Sequence, residues 1–151
     1  MRKVIYSLIS LIILMCFFGC ATTGLLPKSA SEIDFENRVE GKTGWSRYEE
    51  FVVFNSVDLK TVYEAAKAGL AEADFALINA DLSKQTVLGE HGITIHDWNV
   101  IAGIYFREIK DGVEVKVIVE GSKDIGFSGD VTGSNWTVKI IKGMREYIAS
   151  N

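Results

Sequence analysis

The sequence predicts an α+β domain: one antiparallel sheet of about four to five strands, with two helices packed on one face, in the order β-α-β-β-β-β-α. Three observations predict it. Val113, Val115, Val117 and Val119 alternate with Glu114, Lys116 and Glu120, the period of a strand with one buried face. Lys110-Asp111-Gly112 immediately before them is the strongest hairpin signal in the chain. Two stretches, one in the middle and one at the C-terminus, carry apolar residues at helical spacing instead.

The elements follow in order. Tyr48 to Asn55, around Phe51-Val52-Val53-Phe54, reads as the first strand. Ser56 is the expected N-cap of a helix over Asp58–Asp74, whose face is Leu59, Val62, Tyr63, Ala66, Leu70 and Ala73. Its many alanines keep it slim enough to lie close on a sheet. Phe75–Leu82 and Thr86–Glu90 read as strands joined by a turn at Ser83-Lys84-Gln85. Gly92–Ile109 is long and β-forming, with a bend expected near Asp97-Trp98-Asn99. A two-residue Asp111-Gly112 turn would pair Phe106 with Val117 and Ile104 with Val119, although a three-residue loop would change the pairing. The core face is then Ala102, Ile104, Phe106, Val115, Val117 and Val119, and the outer face carries Ile101, Tyr105 and Ile118. Residues 121–135 form a glycine-rich connection with room for a short edge strand at Ile125–Ser128. Ser134 or Asn135 caps a final helix with a buried stripe of Trp136, Ile140, Ile141, Met144, Tyr147 and Ile148.

The N-terminus has a different character. Met1-Arg2-Lys3 is basic, Val4 to Phe18 is apolar apart from Ser7 and Ser10, and Gly19-Cys20 follows. The apolar run is about 15 residues, short of the roughly 20 that cross a bilayer as a helix. A basic start with a short apolar segment is the pattern of a secretory signal. With Gly19-Cys20 at its end, the segment resembles bacterial lipoprotein precursors, whose lipobox closes on a small residue and the cysteine that is acylated. It departs from the preferred lipobox in carrying Phe17 where leucine is usual. The resemblance implies cleavage after Gly19, acylation of Cys20 with two or three chains, and attachment of the chain to a membrane of the cell envelope. One acyl chain anchors only reversibly, whereas two or more hold firmly. Ala21 follows the cysteine, and by analogy with enterobacterial lipoproteins this favours the outer membrane.

The expected organisation is a signal peptide over 1–19, an acylated cysteine and flexible tether over 20–47, and a single domain over 48–151. Such a tether would span roughly 30 Å as a flexible coil. Trp45 within it is expected to pack on the domain edge. The strand–helix order and the stretch Phe54-Asn55-Ser56 leading into Val62-Tyr63-Glu64-Ala65-Ala66 resemble small periplasmic lipoproteins of Gram-negative bacteria. In outline they are similar to the helix-grip domains of a lipoprotein component of the β-barrel assembly machinery. That resemblance transfers no functional residue.

Charge and composition exclude several functions. Removing Arg2 and Lys3 from the 16 basic residues leaves 14 against 20 acidic, a net charge of −6 for the mature chain. Nucleic acid demands clustered Lys and Arg, so no nucleic-acid partner is expected. The cysteines are Cys16 and Cys20, and Met15 before Cys16 is not small, so Cys16 does not fit the modified position. No internal disulfide is available to the domain.

Chemistry-bearing residues are sparse. His91 and His96, with Asp97 nearby, lack the further ligands and spacing of a zinc site, so no metal is expected. Asp124, Ser128, Asp130, Thr132 and Asn135 fall in a loop without the calcium-loop rhythm or a nucleophile elbow. Glu49-Glu50 reads as a solvated strand start. No catalytic residue and no cofactor is therefore expected. The reading is a non-enzymatic, lipid-anchored envelope protein that binds another envelope protein, with Ile101, Tyr105 and Ile118 as the candidate contact surface. The alternative is a carrier of lipid or a small ligand, with the helices gripping a cavity against the sheet.

Overall fold

The computed structural model describes residues 23–44, 47–92, 99–121 and 134–151. Among these residues the fold is α+β, with one antiparallel six-stranded sheet and two helices. The strands are β1 (Gly41–Lys42), β2 (Arg47–Asn55), β3 (Ala76–Asp81), β4 (Thr86–His91), β5 (Val100–Ile109) and β6 (Gly112–Gly121). The helices are α1 (Leu59–Glu72) and α2 (Ser134–Ser150). Across the sheet the order is β1-β2-β6-β5-β4-β3. The expected bend at 97–99, the expected strand over 125–128 and Trp45 lie wholly or partly outside the described residues.

α1 begins where a cap is available. Asp58, rather than Ser56, is the N-cap: its side chain accepts from the Thr61 amide at 3.0 Å and from the Thr61 hydroxyl at 2.7 Å. Ser56 instead takes a positive φ of 59° in the turn before it. α1 and α2 lie side by side on one sheet face and touch where Gly69 meets Gly143. A side chain on Gly143 would come within 3.0 Å of the Gly69 Cα, and one on Gly69 within 2.5 Å of the Ile140 carbonyl. The helices therefore approach closely without wedging each other off the sheet.

Beneath them the alternation of the strands builds the main core. Val52, Phe54, Val87, Ala102, Ile104, Phe106, Val115, Val117 and Val119 meet Val62, Ala65, Ala66 and Leu70 of α1 and Ile140 and Met144 of α2. Each of the larger apolar side chains among them, fully buried, stabilises the fold by about 1.5–3 kcal/mol.

The β5–β6 hairpin has the expected faces but a different register. Ile109 pairs with Gly112, so the loop residues are Lys110 and Asp111, Phe106 faces Val115, and Ile104 faces Val117. The reason is Gly112. Its φ is +151°, and any Cβ there would run into the Phe54 carbonyl, so the glycine is needed inside the ladder beside β2 rather than in the loop. The shift relative to the expected pairing is two residues. Because strand side chains alternate with period two, every residue keeps its face.

The flexible tether expected over 20–47 is corrected for the described part of that segment. Leu26, Ala30 and Phe35 are buried, at 3%, 6% and 5% exposure. The chain makes short 3-10 turns at Thr23–Leu25 and Ala30–Glu32, then adds β1 to the sheet. Alternating apolar periodicity is absent from this strap because only isolated side chains reach the sheet. The folded body thus includes Leu26, Ala30 and Phe35, well before residue 48.

Candidate functional site: the strapped sheet face and the open β2 edge

The outward alternating residues of β2, β4, β5 and β6 converge under the strap. Ile101, Tyr105 and Ile118 are each 0% exposed and cluster with Leu88, Leu26, Ala30 and Phe35. The sequence-predicted contact residues are therefore brought together, but as a second, smaller core and not as an exposed surface. This corrects the expectation for them: their own chain covers them. Leu26, Ala30 and Phe35 bury apolar area that would otherwise face water.

Polar groups fasten the strap. The Tyr105 hydroxyl donates to the Pro27 carbonyl at 2.8 Å. Burial raises the Tyr105 pKa well above the usual tyrosine range, so the hydroxyl stays a donor. The Ala30 amide donates to the Lys84 carbonyl at 2.9 Å. Arg107 lies over the Phe35 ring at 4.9 Å and pairs with Glu36 at 2.5 Å. The Glu114 side chain, 0% exposed, receives Arg107 at 2.5 Å from the sheet and Arg38 from the strap. A second polar knot centres on Glu49, which pairs with Lys116 at 2.6 Å and Arg47 at 2.7 Å and accepts from Thr43 at 3.1 Å. Burial pushes the Glu49 pKa up, but the hydrogen bonds and charges of Lys116 and Arg47 together hold it below the ordinary value. Glu49 is thus a buried, paired carboxylate rather than a solvated strand start.

Its neighbour differs. Glu50 faces a groove of about 390 Å³ between β2 and α2, lined by Glu50, Phe51, Val138, Ile141, Lys142 and Arg145. Partial burial, with the nearby Glu40 charge, raises the Glu50 pKa. A second groove, of about 560 Å³, runs between the strap and the β3–β4 turn and is lined by Ser31, Asp34, Glu36, Lys84 and Arg107 among others. The β2–α2 groove was missed by sequence reasoning. Its only sequence signal is a basic step at Lys142 and Arg145 beside the apolar stripe of α2, which reads equally well as a solvated helix face.

The remaining candidates separate. His91 is 9% exposed and packs between Phe75 and Trp136, with ring centroids 5.7 and 4.7 Å away. His96, Asp97, Asp124, Ser128, Asp130 and Thr132, the Asn135 side chain, and Gly19 and Cys20 lie outside the described residues. Among the described residues no three His, Cys, Asp or Glu side chains gather in a metal-binding group. No described helix is long and apolar enough to cross a membrane.

No protein-family model matches the chain, and no curated protein matches it in sequence. Solved structures similar to it include Ara h 8.0201, at 15% identity and a TM-score of 0.48 over 70% of this chain and 98% of that one. Another is TTHA0849 from Thermus thermophilus, at 12% identity and a TM-score of 0.41 over 70% of this chain and 97% of that one. A third is protein CV1439 from Chromobacterium violaceum, at 13% identity and a TM-score of 0.38 over 66% and 94%.

Proposed function

We propose that this chain is an envelope lipoprotein, cleaved after Gly19, acylated on Cys20, and carrying a non-enzymatic domain that binds another envelope protein. The observation that carries the reading is the Gly19-Cys20 step closing a basic-then-apolar leader. Ala21 supports the outer membrane as the destination. The strap adds a consequence for how the domain is held. The buried Leu26 lies only six positions after Cys20, so the link spans at most about 20 Å. An acylated Cys20 would therefore hold the domain near the bilayer rather than on a long leash. With Ile101, Tyr105 and Ile118 covered, the partner surface must lie elsewhere on the domain. The carrier alternative gains no support from the described grooves, one beside the strap and one at the edge of β2.

Labelled palmitate in cells producing the full chain tests the anchor. The label is expected on the wild-type protein and absent from Cys20→Ala, which should also retain its leader. Label on Cys20→Ala, or none on the wild type, overturns the reading.

A further inference from the structure

β2 is an edge strand for most of its length. β6 pairs with it from Arg47 to Asn55, but β1 covers only Tyr48 and Glu49 on the other side. From Glu50 to Asn55 its outer edge has no strand beside it among the described residues. α2 runs along this stretch, and among the described residues the groove between them is lined by those two elements. Val138, Ile141, Lys142 and Arg145 are spaced to share one helix face, apolar at its start and cationic towards its end. Val138 is 56% exposed, and Arg145 has no ion pair among the described residues, while Lys142 meets only the exposed Glu146 at 3.5 Å.

From this juxtaposition we propose that the β2–α2 groove binds an extended segment of a partner protein, which adds a strand to β2 and lays every second side chain, apolar and acidic in turn, against α2. An open strand edge supplies main-chain hydrogen bonds, and a helix beside it supplies pockets for every second side chain. Carboxylates on the segment complement Lys142 and Arg145. Glu50, on the strand side, repels them and so sets where along the groove an acidic residue can sit. The opposite edge of the sheet is the poorer template. β3 exposes Leu77 and Ile78, but its ladder is interrupted by a bulge between Leu77 and Asn79, a feature that blunts edges. The inference rests on the partner-binding half of the proposed function and is independent of the lipid anchor.

The test uses the full chain in detergent with a fluorescein-labelled octapeptide in which valine and glutamate take turns at every second position with threonine between them, and a version with lysine in place of glutamate. Anisotropy should show saturable binding of the glutamate peptide, at least about tenfold tighter than of the lysine peptide. Arg145→Glu with Lys142→Glu should remove it without moving the melting curve, since both side chains are exposed. Glu50→Gln should tighten it. Hydrogen exchange should slow at residues 50–55 when the peptide is bound. No binding at millimolar peptide, equal binding of both peptides, slowed exchange at β3 instead, or self-association through β2 in place of peptide binding would each overturn the proposal. Palmitate labelling that fails while the peptide binds removes the anchor and leaves the groove standing.

Discussion

The two faces of the sheet are covered in different ways. On one face, two helices supply a continuous apolar layer whose partners are almost wholly aliphatic and aromatic. On the other, a strap with little regular structure drops Leu26, Ala30 and Phe35 onto Leu88, Ile101, Tyr105 and Ile118, and buried ion pairs surround this patch. The helix face draws its stability from area removed from water. The strap face depends on fewer apolar contacts and on charges that hold only while each keeps its partner. A covering of the second kind can open locally without melting the first.

The sharpest way to break the comparison is a charge on each face in the same strand. Val117→Asp sets an unpaired carboxylate beneath the helices and should cost several kcal/mol, on the order of the whole stability margin of about 5–15 kcal/mol. Ile118→Asp, one residue on, meets the strap. It is 0% exposed, so it should also destabilise, but less, because the strap can lift and admit water. Urea denaturation followed by circular dichroism would compare them. Equal losses would show that the strap is as integral as the helices, and a silent Ile118→Asp would show that it does not cover the sheet.

A smaller effect is expected from Arg107→Met. It leaves the buried Glu114 with Arg38 alone and removes the cation over Phe35, which should cost about 1–3 kcal/mol in the same denaturation experiment. A loss below about 0.5 kcal/mol would place Arg107 among ordinary surface charges.

The smallest effects concern pH and carry opposite signs. Glu49 has a depressed pKa in the folded chain, so its contribution is present above the ordinary carboxylate value and is lost as pH falls through the folded one. Glu50 has a raised pKa, so its contribution is present below the ordinary value and lost as pH rises through the folded one. At neutral pH, Glu49→Gln should lower the melting temperature and Glu50→Gln should raise it slightly. Melting curves between acid and neutral pH check both, and shifts of the same sign would contradict the assigned environments.

The helix face was legible in the sequence because its signal is periodic. Valines at 113, 115, 117 and 119, and the α1 stripe through Val62, Ala66 and Leu70, state which side is buried. That signal survived a two-residue error in the hairpin register, since a shift of two preserves the face. The strap was not legible because its buried residues are isolated among Ser, Lys, Glu and Asp, so the segment reads as a linker although it packs. Outward apolar residues such as Ile101, Tyr105 and Ile118 announce that something covers them; they do not say whether the cover is a partner or the chain itself. The β2–α2 groove was invisible for a related reason: it exists only because β1 begins no earlier than Gly41, opposite Glu49, a fact of topology rather than of composition.

Hydrogen exchange of the strap in the full chain tests the two-cover account most directly. The Ala30 amide, bonded to the Lys84 carbonyl at 2.9 Å, should exchange far more slowly than in a free peptide, yet faster than the amides of α1, because the strap opens on its own. Exchange of residues 23–38 at the rate of an unstructured chain would contradict the account and return this segment to the role of a flexible tether.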